Sequence, residues 1–273
     1  MRENHSRYHS FTRLKVPMRG TIFDLTGRSA LVTGGSKGIG KAIATILAQA
    51  GAEVMIAARG EKELQATAEE IRRAHGTRVE YAVADMARRS EVVRLAETAT
   101  ATLGKVDILV NNAGANLPQA IDNVRDEDWD RLVELNLTSC MALSRAIAPG
   151  MKQRRWGRII HISSIMGLAS TPTRNAYSAT KSALLGLARA MALDLGPYNI
   201  TVNCIAPGPI ATDMPMSILS PQQQAALAAR TAFNRWARPE ELAGPALLLA
   251  SQAGSYITGT VLVVDGGALA RVF

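Results

Sequence analysis

A glycine-rich turn between an apolar run and a helical pattern limits what this chain can fold into. Residues 30–32 are apolar, and the turn that follows reads Thr33-Gly34-Gly35-Ser36-Lys37-Gly38-Ile39-Gly40. From Ile39 to Ala50 apolar residues recur at helical spacing, and Gly51 ends the pattern. Glycines adopt positive φ and leave room where a side chain would block a ligand. Strand, turn and helix start together predict a diphosphate site, because unpaired N–H groups and the helix dipole face the anion.

Strand and helix patterns alternate along the rest of the chain. Strands are predicted at residues 53–58, 78–84, 106–110, 158–162, 201–205 and 261–264. Helices are predicted at residues 61–75, 88–103, 126–151, 176–195 and 239–250, with Asp126 as the cap of the one that ends at residue 151. Such alternation implies right-handed crossovers and a parallel sheet covered on both faces. We predict a single α/β domain over residues 21–273, a doubly wound parallel sheet (Rossmann fold) in three layers, α/β/α.

The net charge of +8 suggests a nucleic-acid partner, so its distribution along the chain matters. Half of the excess lies in residues 1–20, which show no helical or strand periodicity and are predicted to form a flexible basic tail. No RNA-binding aromatic motif or zinc-finger spacing accompanies the charge. We therefore predict no nucleic-acid partner.

The cysteines, histidines and apolar runs predict a cytoplasmic protein without a metal ion. Cys140 and Cys204 form neither a metal-binding spacing nor a disulfide framework, as is typical of a reducing compartment. The histidines at positions 5, 9, 75 and 161 do not cluster, and His161, within a strand, is predicted to be buried with satisfied hydrogen bonds. The sequence shows no signal-peptide core and no run of membrane-spanning length, so no membrane partner is predicted.

The ends of the predicted strands are where a ligand is expected, because ligands of such sheets lie beyond the carboxyl ends of the strands. Tyr177 and Lys181 lie four residues apart on one helical face, downstream of Ser163 and Ser164 at a strand end. A free tyrosine, with a pKa of about 10, is a poor base at pH 7. A neighbouring ammonium favours the phenolate, and a hydroxyl that donates to it helps further. Such a tyrosine can protonate a carbonyl oxygen, or deprotonate an alcohol, while hydride moves at the adjacent carbon.

Together these residues resemble the short-chain dehydrogenase/reductase family, and the resemblance covers residues 25–267. The motifs that carry it are Thr33-Gly34-x3-Gly38-x-Gly40, Asp85, Asn111-Asn112-Ala113-Gly114, Asn136, Ser164, Tyr177-x3-Lys181 and Pro207-Gly208-x-Ile210-x-Thr212. The resemblance implies that Tyr177 is the proton donor or acceptor, and that Lys181 stabilises its phenolate and holds the nicotinamide ribose. It also implies that Ser164 hydrogen-bonds the substrate oxygen and that Asn136 supports a water-linked proton path to Lys181.

A nicotinamide dinucleotide is the cofactor that the resemblance implies. Its site is predicted to comprise Gly34, Ser36, Lys37, Gly38, Ile39, Gly40, Arg59, Asp85, Met86, Asn112, Ala113, Gly114, Tyr177, Lys181, Pro207, Gly208, Ile210 and Thr212. An acidic residue at the end of the second strand would bind the ribose diol and repel a 2′-phosphate. Ala58 and Arg59 occupy that place, and Lys37 lies in the glycine turn. We therefore predict a preference for NADP(H) over NAD(H).

The substrate pocket is less constrained by the sequence. Its predicted residues are Asn116, Met166 and Met214, with Leu117, Leu168, Arg174, Pro209, Met216, Phe233 and Trp236 close by. Residues 211–235, with a short helix near residues 221–230, are predicted to form a lid. Arg174 could bind a carboxylate or be an ordinary surface arginine. Lys152, Arg154 and Arg155 could meet an acidic carrier protein, or simply complement a helix dipole.

We predict an NADP(H)-dependent oxidoreductase that interconverts a ketone and a secondary alcohol, foremost a carbonyl or 3-oxoacyl thioester reductase. A sugar-acid or polyol dehydrogenase of the same family is one alternative. A non-catalytic, dinucleotide-sensing regulator is an alternative from another class. The apolar helices at residues 126–151 and 176–195 carry more apolar surface than one sheet face needs, which predicts a homodimer or homotetramer.

Overall fold

The computed structural model describes residues 18–270, apart from the side chains of Met214, Pro215 and Ile218. Most of the predicted basic tail, residues 1–17, therefore lies outside the described part of the chain. Residues 18–20 begin a turn in which the Thr21 N–H donates to the Met18 carbonyl at 3.1 Å.

Seven parallel strands form one sheet in the order β3-β2-β1-β4-β5-β6-β7. The strands are β1 (Ser29–Thr33), β2 (Glu53–Ala58), β3 (Val79–Val83), β4 (Ile108–Asn111), β5 (Gly157–Ile162), β6 (Ile200–Pro207) and β7 (Val261–Val264). Strand order reverses at β1, whose neighbours are β2 and β4. Such a switch point opens a crevice beyond the carboxyl ends of the strands.

Nine α-helices accompany these strands within residues 18–270. They are α1 (Gly38–Gln49), α2 (Glu61–His75), α3 (Arg89–Leu103), α4 (Asp126–Val133), α5 (Ser139–Arg154), α6 (Asn175–Leu195), α7 (Asp213–Ile218), α8 (Pro221–Ala228) and α9 (Ala243–Ala250). The predicted helix at residues 239–250 begins as a 3-10 turn, Pro239–Leu242, before α9. The predicted lid holds two short helices, α7 and α8, instead of one.

Strand residues alternate between two apolar cores, and this alternation produces the three layers. Val32 and Ile56 pack with side chains of α1, α2 and α9 on one face of the sheet. Leu31 and Met55 pack with side chains of α3, α5 and α6 on the other face. Because successive side chains of a strand point to opposite faces, each strand supplies both cores. The predicted α/β/α fold is confirmed.

The helix predicted at residues 126–151 differs from the structure in three respects. Asp126 is the first helical residue and not the cap, since Arg125 occupies the N-cap position. The helix continues to Arg154, and residues Glu134–Thr138 between α4 and α5 form a π-helical turn. Single π turns inside α-helices frequently mark functional sites, and this one carries Asn136.

Candidate active site

The glycine-rich turn fits an anionic ligand at the start of α1. Gly34 and Gly38 have φ values of +63° and +56°, in the left-handed region. A Cβ at Gly34 would lie 2.7 Å from Asn112 Nδ2, and one at Gly40 would collide with the Gly34 carbonyl oxygen. No side chain within the described residues caps α1, whose N-cap residue is Lys37. The first-turn N–H groups are therefore available to a phosphate.

Asn112 and Thr33 join this turn to the end of β4. The Asn112 side-chain amide donates to the carbonyls of Thr33, at 2.9 Å, and Gly34, at 3.2 Å. The Thr33 hydroxyl oxygen accepts the N–H groups of Asn112 and Ala113, each at 3.0 Å. Asn112 therefore fixes the shape of the turn. A further bond ties the turn to α2, because the Thr67 hydroxyl donates to the Ser36 carbonyl at 2.8 Å.

Cations surround the place where the adenosine half of a dinucleotide would lie. Lys37 and Arg59 are exposed, and neither has an ion-pair partner among residues 18–270. Asp85, at the end of β3, is half-buried and accepts the Ala87 N–H at 3.0 Å. Met86 is 4% exposed and belongs to the core. No acidic side chain stands at Ala58 or Arg59, although the Glu63 carboxylate lies beside Gly60, so the residues present fit either nicotinamide dinucleotide.

Ser164, Tyr177 and Lys181 meet at the carboxyl end of β5. The Lys181 ammonium donates to the Ile162 carbonyl at 2.8 Å and lies 5.6 Å from the centre of the Tyr177 ring. Ser164 is buried, and its hydroxyl oxygen accepts the Met166 N–H at 3.1 Å. That bond uses an acceptor site of the hydroxyl and leaves its proton for another oxygen.

Packing of the 3-10 turn Ile165–Gly167 against α6 sets the position of Ser164 relative to Tyr177. A Cβ at Gly167 would lie 2.8 Å from the Lys181 carbonyl carbon, so only glycine permits this approach. The Ser163 hydroxyl donates to the Lys181 carbonyl at 2.9 Å, and the Ser182 hydroxyl donates to the Gly167 carbonyl at 2.8 Å. Gly167 is a positioning residue that sequence reasoning missed.

Asn136 is fully buried in the π-helical turn and binds the segment after β4. Its amide donates to the Ala115 carbonyl at 2.9 Å, and its Oδ1 accepts the Ala115 N–H at 2.9 Å. The same amide lies 3.2 Å from the Thr180 hydroxyl oxygen, and that hydroxyl donates to the Tyr177 carbonyl at 2.9 Å. Thr180, inside the Tyr-x3-Lys spacing, is a second positioning residue that the sequence analysis did not single out.

One cleft of about 490 Å³ brings most of these residues together. From the predicted cofactor site its lining includes Ile39, Asn112, Gly114, Tyr177, Lys181, Pro207, Gly208, Ile210 and Thr212. The remaining predicted cofactor residues, at the ends of β1, β2, β3 and β4, do not line the cleft: Gly34, Ser36, Lys37, Gly38, Gly40, Arg59, Asp85, Met86 and Ala113.

The substrate end of the cleft matches the predicted pocket only in part. Asn116, Met166, Arg174, Pro209 and Trp236 line it. Leu117, Leu168, Met216 and Phe233 do not, and all four are exposed. The Met214 side chain lies outside the described part of the structure. Lining residues that the sequence analysis missed include Leu219, Leu227, Arg230 and Leu269.

A buried polar group lies behind the cleft, between β4 and β5. Burial, with a smaller contribution from the Lys181 charge, lowers the pKa of His161 to about 4, so the ring is neutral at pH 7. Its Nδ1 lies 3.1 Å from the Asn111 amide, but its Nε2 has no hydrogen-bond partner among residues 18–270. The prediction of a fully satisfied histidine is therefore wrong for one ring nitrogen.

Both cysteines are buried free thiols. Burial raises the pKa of Cys140, and it raises the pKa of Cys204 to about 12, so both remain protonated.

Within the described residues, no three His, Cys, Asp or Glu side chains converge where a metal ion could bind. No helix in residues 18–270 combines the length and apolar character that a bilayer span requires.

The three basic residues at the end of α5 have partners within the chain. Arg154 forms an ion pair with Asp107 at 3.2 Å, and Arg155 donates to the Pro197 carbonyl at 3.0 Å. The Lys152 ammonium lies 4.7 Å from the centre of the Tyr198 ring. These contacts give the basic residues structural roles.

Comparison with known proteins agrees with this geometry. A family model described as Enoyl-(Acyl carrier protein) reductase matches residues 34–268. The 3-oxoacyl-[acyl-carrier-protein] reductase of Escherichia coli (strain K12) is 39% identical over 241 residues, 88% of this chain and 97% of that protein.

Two solved structures from Agrobacterium tumefaciens share the fold. One, provisionally assigned as a gluconate dehydrogenase, is 37% identical with a TM-score of 0.88, over 92% of this chain and 99% of that one. The other, a 3-oxoacyl (acyl-carrier-protein) reductase with NADP bound, is 35% identical with a TM-score of 0.86, over 95% of this chain and 99% of that one. The chain belongs to the short-chain dehydrogenase/reductase family and is an NAD(P)-dependent oxidoreductase of carbonyl and alcohol groups.

Proposed function

We propose that the chain catalyses NADP(H)-dependent interconversion of a small ketone and its secondary alcohol, with Ser164, Tyr177, Lys181 and Asn136 as its catalytic group. The observation that carries this proposal is the meeting of Ser164, Tyr177 and Lys181 in one cleft with residues of the predicted cofactor site. The bound nicotinamide supplies or accepts the hydride. The protein supplies the proton and the geometry.

Tyr177 gives its hydroxyl proton to the carbonyl oxygen in reduction, and takes a proton from the alcohol in oxidation. The Lys181 ammonium, fixed by the Ile162 carbonyl, stabilises the phenolate that remains. The Ser164 hydroxyl, oriented by the Met166 N–H, donates to the same substrate oxygen. Two donors therefore face the oxygen on which negative charge develops.

Asn136 and Gly114 support the proposed proton path to Lys181. A Cβ at Gly114 would lie 3.1 Å from Asn136 Oδ1 and 3.4 Å from Lys181 Nζ. The glycine thus keeps open the space between these two polar groups. We propose that water in this space returns a proton to Lys181.

The preference for NADP(H) is supported by Arg59 and Lys37, and by the bound NADP in the 3-oxoacyl reductase structure from A. tumefaciens. Replacing Arg59 with alanine should raise the NADPH dissociation constant about 10- to 100-fold, as expected for a lost charge-assisted contact with phosphate. NADH binding should change far less. Arg73→Ala, an equal charge change at an exposed site of α2, is the control. Equal losses for NADPH and NADH would refute the preference.

Two substrate classes remain. The E. coli relative supports a 3-oxoacyl thioester, while Arg174 in the cleft lining supports a sugar acid or another small acid. Turnover of thioesters, sugar acids, polyols and simple ketones with each cofactor tests the proposal, and absence of turnover with every ketone would refute it. A non-catalytic regulator is disfavoured because the four catalytic residues are intact.

We further propose a homodimer or homotetramer that works in the cytoplasm without nucleic-acid, membrane or metal partners. Leu193 on α6 is 80% exposed, which supports an interface on that helix. Sedimentation at low micromolar concentration should show an oligomer, and a monomer alone would refute it.

A further inference from the structure

We infer that the end of the cleft beyond Tyr177 is a carboxylate site formed by Arg174 with Arg230, and that the substrate is a small oxo or hydroxy acid. This inference rests on the proposed function, because it assigns the substrate class of the same cleft. Three charged side chains line the cleft, Arg174, Lys181 and Arg230, and all are cations. Among its described lining residues there is no aspartate or glutamate. An anionic substrate is the partner that this charge distribution favours.

Arg174 is held in place through its backbone. It is the N-cap residue of α6, and its carbonyl accepts the Ser178 N–H at 2.7 Å. Residues on both sides of it bond to one partner: the Thr173 carbonyl accepts the Gln119 N–H at 2.8 Å, and the Asn175 amide donates to the Gln119 carbonyl at 2.9 Å. Arg174 thus projects from a fixed backbone three residues before Tyr177.

One nitrogen of the Arg174 guanidinium, Nη1, is buried and has no hydrogen-bond acceptor among the described residues. A guanidinium N–H removed from water without an acceptor is unfavourable, and a carboxylate matches the planar donor pair of arginine better than a neutral oxygen does. A carboxylate on the substrate would supply the missing acceptor.

Asn116 adds a second group without a partner. Its Oδ1 is also buried in the cleft lining and accepts no hydrogen bond from any residue that the structure describes. A carbonyl oxygen of this kind can accept from a substrate hydroxyl. A hydroxylated acid would therefore offer a hydroxyl donor to Asn116 and a carboxylate acceptor to Arg174. A saturated acyl chain would offer a hydrogen-bond partner to neither residue.

Arg230 contributes charge at the mouth of the cleft. It is exposed and follows α8, where the Trp236 indole N–H donates to the Gln224 carbonyl at 2.9 Å. Arg230 has no ion-pair partner in residues 18–270. Its exposure makes it a steering charge that salt screens, while the buried Arg174 Nη1 is the specific contact.

Matched pairs of substrates test the inference. Acetoacetate and levulinate, each beside its methyl ester, are assayed with NADPH and NADH for wild type, Arg174→Gln, Arg174→Lys, Arg230→Gln and the control Arg73→Gln. The ratio of kcat/KM for acid over ester should fall about 10- to 100-fold in Arg174→Gln, mainly through KM. Arg174→Lys should keep part of the preference, and Arg230→Gln should lower it only a few-fold, in a salt-dependent way. The Arg73→Gln ratio should equal that of wild type.

Glutarate, which has no ketone, separates binding from turnover. It should compete with methyl levulinate and change the fluorescence of bound NADPH in wild type, and do so more weakly in Arg174→Gln. An acid-over-ester ratio unchanged in Arg174→Gln, or absence of competition by glutarate, would overturn the carboxylate site and leave the proposed reaction standing. If no ketone is reduced but glutarate still binds through Arg174, the site is supported and the proposed reaction fails.

Discussion

Polar groups around Asn136 satisfy one another, whereas those around Arg174 do not. Asn136 uses both ends of its amide on the Ala115 backbone and also reaches Thr180. At the other end of the same cleft, Arg174 Nη1 and Asn116 Oδ1 are buried without partners in the described structure. The hydrogen bonds of Asn136, at the proposed catalytic end, are therefore in place before a ligand arrives, as preorganised catalysis requires. At the proposed substrate end, a bound ligand would supply the missing partners.

The largest effect is expected at the catalytic end, from Tyr177→Phe. Loss of the hydroxyl removes the proposed proton donor, so kcat for ketone reduction should fall about 10²- to 10⁴-fold. NADPH should bind with nearly unchanged affinity, because the ring and Lys181 remain. Initial rates and a fluorescence titration of NADPH measure the two effects. A variant that keeps most of the wild-type rate would remove Tyr177 from the proposed role.

Asn136 and Asn116 provide a matched pair that tests the comparison directly. Asn136→Ala leaves the part-buried N–H and carbonyl of Ala115 without the partners they have now, and should lower the free energy of unfolding by about 2–4 kcal/mol. Asn116→Ala removes an oxygen that has no partner among the described residues, and should change stability by less than about 0.5 kcal/mol. Urea denaturation of both variants measures the difference. Similar losses in the two variants would show that both ends are built alike.

At the proposed catalytic end, the sequence spacing already indicates which side chains lie together. Thr33 to Gly40, and Tyr177 with Lys181, are close in sequence, so strand, turn and helix geometry alone bring their side chains together. The π-helical turn at Asn136 was not predicted, because its register depends on bonds to Ala115, which lies 21 residues away. The role of Gly167 could not be predicted for the same reason, because its close approach to α6 is a tertiary contact.

Fewer of the lining residues at the substrate end could be predicted from the sequence. There the folding of the chain, and not local spacing, decides which side chains face the cleft. Leu117 and Leu168 have the apolar character of lining residues but lie exposed. Arg230 and Leu227 enter from the far end of α8, and no periodic pattern marks them as neighbours of Tyr177. Their positions follow from how residues 213–236 cross the cleft.

His161, behind the cleft, makes the stability of the fold sensitive to mild acid. Its folded pKa of about 4 lies below the usual 6.5, so between these values the unfolded chain binds a proton that the folded chain does not. Stability is therefore fully present above pH 6.5 and is lost as pH falls toward 4, by up to about 3 kcal/mol. His161→Asn should flatten this part of the pH profile. Unfolding free energies of both proteins from pH 7 to 4 measure the slope, and parallel profiles would contradict the burial argument.

The smallest effect is expected from Glu241, which accepts two hydrogen bonds from the Arg235 side chain in the segment after α8. Hydrogen bonds from the Arg235 side chain, with a further one from the Arg238 N–H, lower the pKa of Glu241 to about 2. Because the folded pKa is depressed, this stabilisation is present above the unfolded value of 4.5 and is lost as pH falls toward 2.

Since both Arg235 and Glu241 are partly exposed, solvent screening limits the contribution of the pair to about 1 kcal/mol. Glu241→Gln should lower stability by that amount at pH 7 and by almost nothing at pH 2. The pH windows of His161 and Glu241 scarcely overlap, so one pH series on the two variants separates the contributions of these two residues to stability. A Glu241→Gln loss that persists at pH 2 would mean that packing, and not charge, holds the segment after α8.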